Sequence, residues 1–176
     1  DVLWGIDFLA EISEENKIAL KDRVLVVGGG NVAVDVALTA LRIGAKEVTM
    51  ACLESRDEMP ANPWEIDMAL EEGVRLMTSW GPRKIIQDNG KVTGAELIQC
   101  ASVFDERGDF CPAFSNITEK VKVDQVILAI GQAADLSFID DIGSLAIKKG
   151  LIPINPDTQE TDMPGVFAGG DVGEGP

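Results

Sequence analysis

The sequence predicts an α/β fold in which a parallel sheet carries an inserted antiparallel β-meander. Two continuous apolar runs, at residues 24–27 and 126–130, are typical of strands that a parallel sheet buries on both faces. Between these runs, Asp88-Asn89-Gly90 separates two segments of alternating residues, which is a strong signal for an antiparallel hairpin. Helical patterns between the first strands supply the crossover connections that parallel pairing needs.

Helices and strands alternate in the first half of the chain. Gly44 and Gly73 are typical helix ends, and Asn62 followed by Pro63 is a typical helix start. The apolar side of the first predicted helix consists of Leu3, Ile6, Phe8, Leu9 and Ile12. The predicted elements are a helix over 1–20, a strand over 24–27, a helix over 31–43, a strand over 47–53, a helix from 62 to 72 and a strand over 74–77.

Short strands dominate the second half. Glycine and proline at positions 81 and 82 mark the change of pattern, and a loop around residues 106–109 separates the last two meander strands. The chain then returns to the parallel sheet. The predicted strands cover residues 83–87, 91–103, 117–123, 126–130, 145–147, 151–154 and 166–168.

A glycine turn joins the strand at 24–27 to the next helix, and it matches the pattern G-x-G-x-x-A. Gly28 permits a tight turn, Gly30 lets the backbone approach a pyrophosphate, and Ala33 lets the helix pack closely. The helix would offer free N–H groups and its positive dipole end to phosphates. The alternative is a strand–helix turn that binds nothing. We predict a Rossmann-like nucleotide site at Gly28, Gly29, Gly30, Asn31, Val32 and Ala33.

The end of the strand at 47–53 carries the residues expected to read the adenosine ribose. Glu54 lies 21 positions after Ala33, where an acid typically hydrogen-bonds the ribose hydroxyls of NAD. Arg56 follows two residues later and could reach a 2′-phosphate, as in NADP. An ordinary solvated carboxylate is the other interpretation of Glu54. On these residues NAD(H) is favoured over NADP(H).

Composition excludes several classes of partner. The 176 residues contain 15 Lys and Arg against 30 Asp and Glu, a net charge of −15. Nucleic acids and anionic membranes are bound by clustered Lys and Arg, so we expect neither as a partner. Apolar runs fall short of the roughly 18 residues that a membrane helix needs, so no membrane insertion is expected.

Side-chain chemistry is sparse. Cys52, Cys100 and Cys111 form no C-x-x-C, so neither a redox dithiol nor a metal site is predicted. Free thiols fit a cytoplasmic location. The chain has no His and no Tyr, which removes two common proton-transfer groups, and we name no catalytic side chain.

Six blocks resemble the small (beta) subunit of glutamate synthase and its relatives, which are flavoproteins with two dinucleotide-binding domains. The resemblance covers nearly the whole chain. The blocks are GGGNVAVDVA at 28–37, ALRIGA at 40–45, SRDEMPA at 55–61, EEGV at 71–74, AIGQ at 129–132 and TDMPGVFAGGD at 161–171.

The resemblance implies a division into domains. Residues 1–19 would be a helical segment from the flavin domain, and residues 20–128 would bind NAD(P)H, with the meander at about 82–124. Residues 129–176 would be a C-terminal remnant of the FAD domain. Gly131 would mark the crossover, and Asp171 after Gly170 would hydrogen-bond the ribityl chain of FAD.

Departures from the family's pattern suggest a piece of a longer parent. A first glycine turn for flavin, a cysteine-rich iron–sulfur segment and the helix after Asp171 are missing, so we expect FAD in the parent but not on this fragment. NADP-using relatives carry an arginine pair where this chain has Leu53 and Glu54.

The resulting hypothesis is the nicotinamide-nucleotide part of a flavoprotein oxidoreductase. It would pass reducing equivalents from NAD(P)H to FAD and on to iron–sulfur centres or a partner subunit, and the fragment alone would be inactive. One alternative is an NAD-binding regulatory module without turnover. The other is a dehydrogenase acting directly on a small substrate, which the lack of His and Tyr disfavours.

Overall fold

The computed structural model describes residues 1–14, 18–139 and 145–175. The chain forms two compact units, residues 1–130 and residues 131–176, each of which is treated by itself. The first unit holds both sheets. Within its described residues, the second contains a 3₁₀ turn at Ser137–Ile139, two isolated β-bridges and a one-turn helix.

A five-stranded parallel sheet forms the centre of the first unit, with strand order β1-β8-β2-β3-β4. Residues of β2 alternate between two apolar cores. Val24 and Val26 face the helices, whereas Leu25 and Val27 face the meander. Burial on both faces therefore explains the uninterrupted apolar run. The strands are β1 (Val2–Trp4), β2 (Arg23–Val27), β3 (Glu47–Ala51), β4 (Arg75–Met77) and β8 (Gln125–Leu128).

In the part of the chain that the structure describes, three helices cover one face of this sheet: α1 (Gly5–Ser13), α2 (Asn31–Arg42) and α3 (Pro63–Glu71). The small-residue stripe of α2 is confirmed, since its three alanines at 33, 37 and 40 are fully buried. Small side chains let α2 lie close to the strands. This packing holds the start of α2 at the carboxyl end of β2.

The antiparallel meander covers the other face with β5 (Trp80–Asp88), β6 (Lys91–Phe104) and β7 (Phe110–Val121). Asn89 and Gly90 both have positive φ, 49° and 76°, which two-residue hairpin turns need. The hairpin prediction is confirmed, and so is the α/β fold with a parallel and an antiparallel sheet.

Several predicted elements differ from the structure. Residues 2–4 form strand β1 instead of a helix, because Leu3 pairs with Ile127 of β8 and short apolar segments do not distinguish strand from helix. Residues 18–20 are not helical, and residues 15–17 of that predicted helix lie outside the described residues. The third meander strand begins at Phe110, earlier than predicted.

The predicted strands of the second unit are also wrong in part. Residues 145–147 and 151–154 do not form strands. Among the described residues of this unit, β-pairing is limited to the isolated bridges Lys148–Leu151 and Glu160–Phe167. The second bridge includes one residue of the predicted strand at 166–168. Short apolar segments signal strands only when a neighbouring strand pairs with them.

Candidate functional site

Gly28 is a glycine because the fold leaves no room for a side chain. Its φ is +145°, and a Cβ there would lie 2.2 Å from the carbonyl oxygen of Ala129, which follows β8. Its N–H donates to the Ala51 carbonyl at 2.9 Å. Gly28 therefore closes the end of the sheet between β8 and β3, and its role is structural.

Gly30 is a glycine for a different reason. Its φ of −90° and ψ of 175° are open to any residue, and it sits at the N-cap of α2 without a side-chain cap. Among the described residues, a Cβ there would meet only Pro60 Cγ, at 3.9 Å. The missing side chain thus leaves a space in front of the N–H groups of Asn31 and Val32, which lack acceptors within the helix, whereas the Ala33 N–H donates to the Gly30 carbonyl at 3.0 Å. Such a cradle fits a phosphate.

Gly29 brings Glu54 to the turn. A Cβ on Gly29 would lie 2.8 Å from Glu54 Oε2 and 3.1 Å from Cys52 Cβ. The Glu54 carboxylate therefore lies directly against the glycine turn, half-buried, at the end of β3. Burial, followed by the charge of Glu54, raises the pKa of the Cys52 thiol to about 12. Cys52 is a packing residue here, because only a thiolate is nucleophilic.

Asn31 fastens the loop after β3 to the turn. Its Oδ1 accepts the Asn62 N–H at 2.8 Å, and the Ala61 N–H donates to the Gly29 carbonyl at 3.1 Å. Val32 and Ala33 pack into the core, so they can offer a ligand only backbone groups. Asn31 thus acts as a structural tie within the described residues.

Arg56 lies on the same loop and is held by α3. Its Nη2 donates to Asp67 Oδ1 at 2.7 Å, and its side chain is 35% exposed. A guanidinium has five donor hydrogens in a planar fork, so this bond leaves others available to a ligand. The structure therefore places a cation, Arg56, and an acid, Glu54, on one loop beside the open cradle of Gly30.

The other predicted site residues belong to the second unit. Gly131 and Gly170 have positive φ, 98° and 66°, and a Cβ on either would meet no described atom within 4 Å. Asp171 is exposed and begins the helix α4 (Asp171–Glu174). The expectation that no helix follows Asp171 is wrong for these four residues, because Gly170 provides the turn that starts it.

Sequence reasoning did not assign roles to Pro60 and Asp67. Pro60 is the nearest side chain to the Gly30 cradle, and Asp67 fixes Arg56. The SRDEMPA segment at residues 55–61 belongs to the family resemblance, but the sequence does not indicate which contacts its residues make. A tie between residues this far apart in sequence is not visible in local patterns.

The described residues contain no group of three or more His, Cys, Asp or Glu arranged to hold a metal ion. Within the same residues, none of the helices has both the length and the apolar character to span a bilayer.

A strand, a glycine turn, a helix with an open N-terminus and an acid at the next strand end define a dinucleotide-binding fold. The profile of the pyridine nucleotide-disulphide oxidoreductase family matches residues 6–176. The chain belongs to this family.

Its relatives include subunits of larger oxidoreductases. It is 40% identical to the NADP(+)-dependent formate dehydrogenase subunit beta of Moorella thermoacetica, over 96% of this chain and 24% of that protein. It is also 40% identical to the NADPH-Fe(3+) oxidoreductase subunit beta of Geobacter sulfurreducens, over 98% of this chain and 29% of that protein. The chain thus spans roughly a quarter of these relatives' length.

Solved structures show the same fold. Mycobacterium tuberculosis FprA in complex with NADPH superposes with a TM-score of 0.73 at 15% identity, over 99% of this chain and 53% of that one. The thioredoxin reductase of T. acidophilum gives 0.66 at 23% identity, over 88% and 45%. At these identities the likeness concerns the fold alone.

The expectation that NAD(H) is favoured over NADP(H) is contradicted. The two relatives above are named for NADP(+) and NADPH, and a further one, 38% identical over 85% of this chain, is the ferredoxin–NADP reductase 2 of Shouchella clausii. The prediction gave too much weight to the acid at position 54. An acid there does not exclude a 2′-phosphate when Arg56 supplies a cation on the same loop.

Proposed function

We propose that this chain is the NADPH-binding part of a flavoprotein oxidoreductase that passes reducing equivalents to a further redox centre or partner subunit. One observation supports the proposal above all: Gly30 has an ordinary backbone conformation, and its missing side chain leaves an open space at the start of α2. A glycine that the fold itself does not require is expected where a ligand approaches the backbone.

Each side of the cradle has a role in this proposal. The pyrophosphate would sit on the N–H groups of Asn31 and Val32 at the start of α2, and Ala33 would let the helix pack closely. Arg56 would bind the 2′-phosphate, because a guanidinium pairs well with a phosphate dianion. Glu54 would accept a hydrogen bond from the remaining hydroxyl of the same ribose. Gly28 and Gly29 would shape the turn.

We assign the domains as the resemblance implies. Residues 20–128 would form the NADPH domain, whereas residues 1–19 and 129–176 would belong to the flavin domain. Gly131, Gly170 and Asp171 would take part in the flavin site, and an exposed carboxylate beside an open glycine fits a sugar hydroxyl. Within the family, the motif blocks favour the type of the glutamate synthase small subunit.

The redox chemistry belongs to the cofactors. NADPH supplies a hydride and a flavin accepts it, so the protein's task is to bind, orient and exclude water. No side chain of this chain needs to transfer a proton in that scheme. Relatives named as beta subunits support a partner subunit, with iron–sulfur centres as the proposed acceptors. Unpaired thiols at Cys52, Cys100 and Cys111 support a cytoplasmic location.

The first experiment titrates this chain with NADPH and with NADH by calorimetry. We expect NADPH to bind more tightly, and Arg56→Gln to weaken NADPH about 10- to 100-fold while leaving NADH nearly unchanged. Arg107→Gln is the matched control, because it removes the same charge from the loop between β6 and β7. It should change the affinity for neither nucleotide. If Arg56→Gln lost NADPH and NADH affinity equally, the claim that Arg56 binds the 2′-phosphate would be contradicted.

A second experiment addresses the flavin. The full-length parent should purify with bound FAD and should reduce an artificial acceptor with NADPH. A parent that binds NADPH but contains no flavin would overturn the oxidoreductase proposal and favour a regulatory module without turnover.

A further inference from the structure

An apolar surface lies beside the end of β3, where two side chains cover Gly81 of β5. A Cβ on Gly81 would lie 2.6 Å from Leu53 Cδ2 and 3.2 Å from Phe114 Cε1. The two side chains therefore share the space above this buried glycine, although Phe114 comes from β7 and Leu53 follows β3. We call the surface formed by Leu53 and Phe114 the platform.

Backbone hydrogen bonds join the start of the meander, next to Gly81, to the loop after β3. The N–H of Trp80 donates to the Cys52 carbonyl, and the N–H of Ser79 donates to the Glu54 carbonyl, both at 2.8 Å. These two bonds join the start of the meander to the residues on either side of Leu53. The platform thus has a fixed position next to Glu54, whose carboxylate lies against the glycine turn.

Phe114 differs from the other exposed aromatic residues of the meander. Phe104 and Phe110 pack edge to face, with ring centroids 6.4 Å apart. Phe114 instead packs over Gly81, and 47% of its surface remains exposed. An exposed ring that packs over a glycine is suited to stack on a flat apolar ligand.

We propose that the platform receives the adenine ring of NADPH, with Phe114 stacking on the base. This inference rests on the proposed function, which places the adenosine ribose at Glu54 and Arg56. Adenine is bonded to that ribose, so it must lie next to those two residues, and the platform is an apolar surface that adjoins Glu54. Every base has a π-face, so stacking would add affinity without reading base edges.

The test compares Phe114→Ala and Phe114→Leu with Phe110→Ala, which removes an exposed ring from the same strand. Calorimetry measures the binding of NADPH and of adenosine 2′,5′-bisphosphate, which lacks the nicotinamide. Reduced nicotinamide mononucleotide, which has no adenine, is the ligand control, because removal of a ring that stacks on adenine should leave its binding unchanged. Thermal unfolding of each variant checks that the meander stays folded.

We expect Phe114→Ala to weaken both ligands about 5- to 100-fold and to leave the binding of reduced nicotinamide mononucleotide unchanged. Phe114→Leu should keep the fold but lose most of the same affinity, and Phe110→Ala should match the unchanged chain. Normal affinity of Phe114→Ala for both adenine-containing ligands would overturn the platform alone. Failure of the unchanged chain to bind either ligand would overturn the proposed function as well.

Discussion

The two ends of the parallel sheet consist of the same strands, but their polar groups are satisfied in different ways. At the amino end, Arg23 donates through Nε and Nη2 to both carboxylate oxygens of Asp124, at 2.8 and 2.6 Å. The backbone N–H of Lys21 donates to the Gln125 side chain at 3.0 Å. At the carboxyl end, by contrast, the glycine turn leaves the start of α2 uncapped beside the space at Gly30.

This difference separates stability from binding. At the amino end, the polar and charged groups named above form hydrogen bonds and ion pairs with other groups of the same chain. Groups at the carboxyl end stay available to a ligand, as expected for open α/β sheets, which bind at the carboxyl ends of their strands. Even at the carboxyl end, the first and third glycines of the turn differ. Gly28 is packed against the Ala129 carbonyl, whereas Gly30 leaves space for a ligand in front of α2.

The largest effect is expected at Gly28. Gly28→Ala would force a Cβ to within 2.2 Å of the Ala129 carbonyl oxygen at a φ of +145°. We expect a loss of about 3–5 kcal/mol in the free energy of unfolding, from overpacking and backbone strain combined. Urea denaturation measures it. Gly44→Ala is the control, because its φ is also positive but a Cβ there would meet no described atom within 4 Å. Equal losses in the two variants would contradict the packing argument.

A smaller effect is expected at the amino end. The pKa of Asp124 is lowered, chiefly by its hydrogen bond with Arg23. A lowered folded-state pKa means that the stabilisation is present above the ordinary value of 3.8 and is lost as the pH falls through the lower, folded-state value.

Thermal unfolding of Asp124→Asn tests this ion pair. The variant should melt a few degrees lower at pH 7, and the difference should shrink as the pH approaches 2. Asp22→Asn breaks the more exposed pair with Lys46 and should have less effect. A difference that stays constant from pH 7 to pH 2 would contradict the account. NADPH affinity should not change in either variant.

The smallest effect concerns Cys52, below the glycine turn. Because its pKa is raised from 9.0 to about 12, its neutral form is stabilised, and this contribution is lost as the pH rises above 9.0 towards 12. At pH 8, iodoacetamide should label the exposed Cys111 quickly and Cys52 only on unfolding. Mass spectrometry of digested protein measures both. Labelling of the two thiols at similar rates would show that the carboxyl end opens easily.

Local chemistry made much of this fold predictable. The hairpin at Asn89-Gly90 and the packing stripe of α2 follow from short-range rules on positive φ and helical spacing. The position of Glu54 against the turn also agrees with the spacing expected from Ala33. These features depend on residues that are close in sequence, or on a connection of nearly fixed length.

Long-range contacts made the rest unpredictable. Strand β1 exists because β8, more than a hundred residues later, pairs with it. The different roles of Gly28 and Gly30 depend on Ala129 and Pro60, which lie on separate segments. The NADP(H) named for the relatives was not expected, because Arg56 was given less weight than Glu54. The fold adds a contact that local sequence does not show, since Asp67 of α3 holds the Arg56 side chain on this loop.

The most direct test of the central claim is NADPH binding by Gly30→Ala, measured by calorimetry together with thermal unfolding. The account predicts a variant as stable as the unchanged chain to within about 1 kcal/mol, since alanine tolerates this backbone conformation. It also predicts that NADPH affinity falls at least about tenfold, because the methyl group occupies the space needed by the pyrophosphate. A stable variant that binds NADPH as tightly as the unchanged chain would contradict the claim.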